Sequence, residues 1–166
     1  GFFTDPSASA NRLHSGGGIG SLTGLPVMDI RQLRIAILFG LGAASFIAFG
    51  PALAGEFLFW DDYLNIVQVK GIQGLAGENL RWMFFDFGPD IRYKPITFLA
   101  WAILHAVDGL DPYLFHLANL IVHSVNGCLL FFLHGRLGDL AVGPASDSAD
   151  ERWRTLAAAA VALLWT

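Results

Sequence analysis

Long apolar runs separated by short polar ones set the pattern of this chain. Residues 35–54 are twenty consecutive positions without an ionisable side chain, and residues 113–135 are twenty-three without Asp, Glu, Lys or Arg. At about 1.5 Å of rise per helical residue, either run covers the roughly 30 Å of hydrocarbon in a bilayer. They predict transmembrane helices near 33–54 and 112–136. Asp111 and Pro112 suit the N-cap and first turn of the second helix, and Gly138 offers a stop. Between the spans, Leu80, Met83, Phe84 and Phe87 recur at i, i+3, i+4 and i+7, which predicts an amphipathic helix over 79–87 lying in the interface plane. Residues 95–107 are apolar but too few to cross, so 96–107 is expected to be a second interfacial helix. Leu156 to Trp165 opens a third apolar run, and 155–166 reads as the start of a span in a longer polypeptide.

The resulting fold class is an all-α integral membrane protein: two complete transmembrane helices, the start of a third, and interfacial helices in the first outer loop. Composition agrees, with 54% hydrophobic and only 14% charged residues. The net charge of −4 carries no basic excess that would suit nucleic acid. Cys128 is the single cysteine, so no disulfide can form within the chain, and its apolar setting suits a small packing residue. Residues 28–166 form the membrane domain. Residues 1–27 form a Gly/Ser-rich leader without helix or strand periodicity, expected to take its order from contact with another protein chain. Arg31 and Arg34 precede the first span, which places the N-terminus and the 139–154 loop in the cytoplasm and residues 55–111 outside.

Two groups of residues carry candidate chemistry. Asp61 and Asp62 follow Trp60 just beyond the first span, where carboxylates meet the interface, and Arg92 and Lys94 bring positive charge to the same outer loop. The alternatives for these residues are a loop or helix cap for the carboxylates and headgroup anchoring for the cations. The second span carries His116, Asn119, His123 and Asn126, which fall within roughly 80° of one helix face, with Gly127 and His134 on or beside the stripe. Polar groups in a membrane turn toward protein or a wet cavity, so this stripe either holds helices together by hydrogen bonds or, at His116, borders a polar site beside the Asp pair. A lone imidazole can also ligate a metal or a tetrapyrrole. No ligand-spaced cluster accompanies these residues, so no metal is assigned and the cofactor stays unknown.

Phe59-Trp60-Asp61-Asp62-Tyr63-Leu64-Asn65-Ile66, then Tyr93-Lys94-Pro95-Ile96, then Phe115-His116-Leu117-Ala118-Asn119 with His123 and Asn126, resemble the N-terminal third of bacterial GT-C membrane glycosyltransferases. The likeness is to the transmembrane O-mannosyltransferase-like proteins that often end in tetratricopeptide repeats, and it covers about residues 28–166. The family pattern has Arg where this chain has Lys94, which keeps the charge and loses the bidentate geometry. The next motif of the family pattern, a His-Pro following the third span, is missing from residues 1–166. The resemblance implies transfer of a sugar from a polyprenyl phosphate at a bacterial cytoplasmic membrane. Asp61 would be the base on the acceptor hydroxyl, Asp62 its orienting or metal-facing neighbour, and Lys94 with Arg92 would hold the lipid phosphate. As a piece alone, residues 1–166 are not expected to catalyse. The competing reading is a non-catalytic accessory subunit of a larger membrane complex, one that carries a pigment or cofactor among its possibilities.

Overall fold

The computed structural model describes residues 28–86 and 93–166, and the leader, Phe87 and Arg92 lie outside them. Five α-helices organise the described chain: α1 (Ile30–Phe49), α2 (Gly77–Arg81), α3 (Pro95–Asp108), α4 (Pro112–Val142) and α5 (Ser148–Leu163), with no strand among the described residues. The chain is all-α, and two of its helical segments, Ile30–Ala54 and Pro112–Val142, are long and apolar enough to cross a membrane. Only 11% and 22% of their most apolar stretches are buried, whereas the central helix of a water-soluble core would be mostly covered. Phe39 and Ile47 on α1, and Val122 and Leu129 on α4, point outward. Such an apolar exterior is compatible with contact with lipid.

Local chemistry sets the helix ends. The Asp29 amide donates to Gln32 Oε1 at 3.2 Å, the return half of a capping box at the head of α1. The α-helix ends at Phe49, and Gly50–Ala54 continues as a tighter 3₁₀ turn with Pro51 near its start. The expected helix over 33–54 is thus one helical segment of two pitches. Asp111 caps α4 as expected, its Oδ1 accepting from the Tyr113 amide at 2.9 Å. The far end differs from expectation. Gly138 sits inside the helix, which runs on to Val142 and stops at Gly143, where φ is +83°. That left-handed value suits glycine and turns the chain. The 139–154 loop is correspondingly short. Asp147 Oδ1 accepts from the Ala149 and Asp150 amides at 2.9 and 2.8 Å, so α5 begins at Ser148. Asp150 and Glu151 in its first turn favour that start through the helix dipole.

The long helices pack through small residues. Leu41, Phe131, Ala158 and Ala162 form the buried centre where α1, α4 and α5 meet, with Cys128 beside it. Buried Ser45 and Ser124 satisfy their hydroxyls on their own helices, at Leu41 O and Leu120 O. Small side chains let helices approach closely, which replaces the hydrophobic drive that lipid removes.

A second core lies on the side where α1 ends and α4 begins, here called the large-loop side. Ile66, Val69, Ile72, Met83, Phe98, Ala102 and Phe115 are buried together. The expected amphipathic helix over 79–87 is present as α2 followed by a wider π-helical turn, Trp82–Asp86. It does not simply lie on a surface: Met83 is fully buried in this core, and Trp82 packs on Phe98 with ring centroids 5.2 Å apart. Gly71 makes that approach possible, because a Cβ there would fall inside the Trp82 indole. A further π-helical turn at Tyr63–Val67 and a 3₁₀ turn at Lys70–Ile72 complete the segment. The opposite end of the long helices, with the α4–α5 connection, is the short-turn side.

Candidate functional site

On the large-loop side, the chain leaves α1 and exposes Leu58, Phe59 and Trp60. Such an aromatic and apolar group suits the membrane interface, and it places the adjacent carboxylates at the same level. The two carboxylates are used differently. Asp62 Oδ2 accepts from the Leu58 amide at 2.9 Å, closing the loop ahead of the Tyr63–Val67 turn. Asp61 is exposed, and its carboxylate has no partner among the described residues. Its backbone carbonyl accepts from Asn65 Nδ2 at 2.7 Å.

The same Asn65 amide, through Oδ1, accepts from Lys94 Nζ at 3.0 Å. Asn65 is therefore a clamp, with one end of its amide on the Asp61 backbone and the other on a cation 29 positions further along the chain. Lys94 immediately precedes α3, whose rings receive its charge: Nζ lies 4.5 Å from the Trp101 ring centroid and 5.5 Å from that of Phe98. These ring faces and the Asn65 oxygen together hold the ammonium group beside Asn65. Asp61 and Lys94 are thus joined through Asn65. Arg92 falls outside the described residues.

The polar stripe of α4 begins close by. Phe57 packs edge-on against Phe115, 5.4 Å between centroids, and lies 6.3 Å from His116. His116, Asn119 and His123 line a pocket of about 300 Å³ with Phe49 and Ala52 from the end of the first helical segment. Nε2 of His116 and Nε2 of His123 are both buried and have no hydrogen-bond partner among the described residues. His123 is otherwise enclosed by rings, with Phe49 edge-on at 5.0 Å and Trp165 stacked at 5.9 Å. Asn119 and Asn126 are exposed and carry no interhelical hydrogen bond among the described residues. The stripe is thus an open polar face with two orphaned imidazole nitrogens, and a buried orphan of this kind is costly unless something else satisfies it. Among the described residues no group of three or more His, Cys, Asp and Glu side chains is arranged to hold a metal.

Sequence reasoning missed three contributors. Asn65 stood within the quoted motif, but nothing in its spacing announced a bridge to Lys94. Phe49 and Trp165 read as span residues and became ring walls of the His123 pocket.

No family model matches the chain, and no solved structure matches it. Two curated relatives do. Over 102 residues the chain is 28% identical to the mouse (Mus musculus) Protein O-mannosyl-transferase TMTC1, which covers 55% of this chain and 10% of that protein. Over the same number of residues it is 30% identical to the human (Homo sapiens) protein of that name, covering 55% of this chain and 11% of the relative. The chain therefore spans about a tenth of the length of the relatives it matches. The similarity supports a distant, glycosyltransferase-like relationship.

Proposed function

We propose that residues 28–166 form the N-terminal portion of a membrane glycosyltransferase of the GT-C type, which moves a sugar from a polyprenyl phosphate to an acceptor hydroxyl. The observation that carries the reading is the Asn65 clamp, whose amide ties the backbone carbonyl of Asp61, the residue with the unpartnered carboxylate, to the ammonium group of Lys94. In the step proposed, the acceptor oxygen attacks the anomeric carbon as Asp61 takes its proton. The bond from that carbon to the phosphate oxygen breaks, and the lipid phosphate leaves with its charge met by Lys94, with Arg92 as the second cation. Positioned acid–base groups and charge stabilisation of this kind are the usual contributors to such a transfer. Asp62 is assigned to orienting the loop, since its carboxylate already holds the Leu58 amide. The His116 pocket, beside Phe57, is assigned to the polar part of the substrate, which would satisfy the orphaned nitrogens.

The membrane assigned is a bacterial cytoplasmic membrane, on the motif resemblance, with the N-terminus in the cytoplasm on the strength of Arg31 and Arg34. Sugar transfer is measured in membranes expressing the longest reading frame that contains residues 28–166, with a labelled polyprenyl-phosphate sugar. Asp61→Asn keeps size and removes the base, so the rate falls by about 10²- to 10⁴-fold. Unchanged transfer in Asp61→Asn and in Asp62→Asn would return the pair to loop structure and favour the accessory-subunit reading, in which the leader and the α4 stripe contact other chains.

A further inference from the structure

On the short-turn side, a cleft of about 380 Å³ opens between α1, α4 and α5, and three arginines reach it. Two are committed. Arg34 pairs with Glu151 at 3.1 Å, and Arg154 pairs with Asp150 at 2.8 Å and with Asp139 at 4.0 Å. Arg136 lines the same cleft, is exposed, and has no ion pair or hydrogen bond among the described residues. Asp139 stands one turn further along α4, but its carboxylate faces Arg154. The acidic groups therefore brace the walls and leave one guanidinium unanswered.

The level of this cleft in the membrane follows from its neighbours. Arg136 is the first charged residue after the apolar stretch 113–135, and Phe131 and Phe132 wall the cleft on the hydrocarbon side. Trp153, at the head of α5, projects outward with 72% of its surface exposed, as an interfacial tryptophan does. Gly135 leaves the wall open, with nothing near the place its Cβ would occupy. An arginine at this depth, above an apolar wall, matches a ligand with an anionic head and hydrocarbon tails. Anionic surfaces attract such basic groups, and a guanidinium pairs well with phosphate oxygens.

We propose that the cleft between α1, α4 and α5 binds the phosphate of an anionic phospholipid, with Arg136 as the cation that holds it. The test uses the purified 166-residue chain in detergent micelles and native mass spectrometry with added phosphatidylglycerol. The chain is expected to retain phosphatidylglycerol, and Arg136→Gln to weaken retention about tenfold, the size of one lost charge-assisted contact. Arg31→Gln, at an exposed position outside the cleft, is expected to leave retention within about twofold, a change too small for a lost charge-assisted contact. Equal retention by Arg136→Gln would overturn the proposal, and so would an equal drop in Arg31→Gln, which would mean a diffuse surface charge. Phosphatidylcholine that competes as well as phosphatidylglycerol would show that the anionic head is not read. Inorganic phosphate that displaces the lipid at matched concentration would assign the site to free phosphate and overturn the lipid assignment. The result does not depend on sugar transfer, so its failure leaves the Asp61 reading standing.

Discussion

Gly71 and Trp82 make the most direct test of how the large-loop side is held together. The indole of Trp82 occupies the space that a Cβ at Gly71 would need, and its other contact is Phe98, fully buried at the centre of the core. An alanine at 71 therefore pushes a rigid two-ring side chain off its seat. Overpacking of a filled core costs about 1–3 kcal/mol. Weakening the Trp82–Phe98 ring pair adds about 0.5–1.5 kcal/mol. Gly71→Ala is thus expected to destabilise this region by about 2–4 kcal/mol. The cause is steric, so it disappears with the indole: in a Trp82→Ala background, Gly71→Ala becomes neutral or slightly stabilising, because alanine restricts the unfolded chain by about 0.4–1 kcal/mol. The readout is hydrogen exchange at the Ile72 and Gln73 amides, which donate to Val69 O and Lys70 O in the turn beside Gly71. The double-mutant cycle should show coupling of about 2–5 kcal/mol, well outside the roughly 0.3–0.5 kcal/mol of independent sites. Additive effects of the two substitutions would refute the packing argument.

Two further outcomes follow from charge and sidedness. The hydrogen bond from Arg154 beside Asp150, with a second from the Ser146 amide, holds the Asp150 carboxyl below its ordinary value of 3.8. A carboxylate lowered in the folded state stabilises in full above that ordinary value and loses its contribution as pH falls through the lowered one. The α4–α5 connection should therefore loosen on acidification below about pH 4 in the wild type and show no such acid step in Asp150→Asn; exchange at Ala149 to Glu151 checks this, and identical acid profiles would remove Asp150 from the account. For sidedness, Lys70→Cys in a Cys128→Ser chain should label with an impermeant thiol reagent from outside the cell only, and labelling from the cytoplasm alone would invert the proposed orientation.

The two long helices were readable because twenty or more apolar residues have few other uses, the far end of the first at Ala54 was readable from the end of its apolar run, and the head of α4 was readable from Asp111 and Pro112. The far end of α4 was not. Gly138 and Gly143 look alike in sequence, and only the second takes a positive φ. The polar look of residues 139–154 concealed a helix start, because Asp147, Asp150 and Glu151 are both loop-like in composition and favourable at an N-terminus. Trp82 escaped the helical pattern because the π-helical turn at Trp82–Asp86 shifts the faces away from a 3.6-residue period. At the candidate site, the residue types of Asp61, Asp62, Lys94 and the α4 stripe were visible. Asp62 was the occupied carboxylate through a local turn contact with the Leu58 amide that two adjacent aspartates do not announce, and the bridge from Asn65 to Lys94 joined segments 29 positions apart that no local pattern encodes.

Phe115 belongs to the second long helix, yet it is buried in the core assembled by the segment before it. Synthesis delivers residues 57–104 first, so that core waits, unfinished, for the head of α4. Seating the aromatic ring and fixing the axial position of the helix are then one event. Without the ring, as in Phe115→Ala, the head of α4 loses its seat in that core, and only its packing against α1 and α5 is left to set its axial position. The small core at the surface thus works as a depth stop for the helix beneath it, setting how far His116 and its neighbours sink into the bilayer.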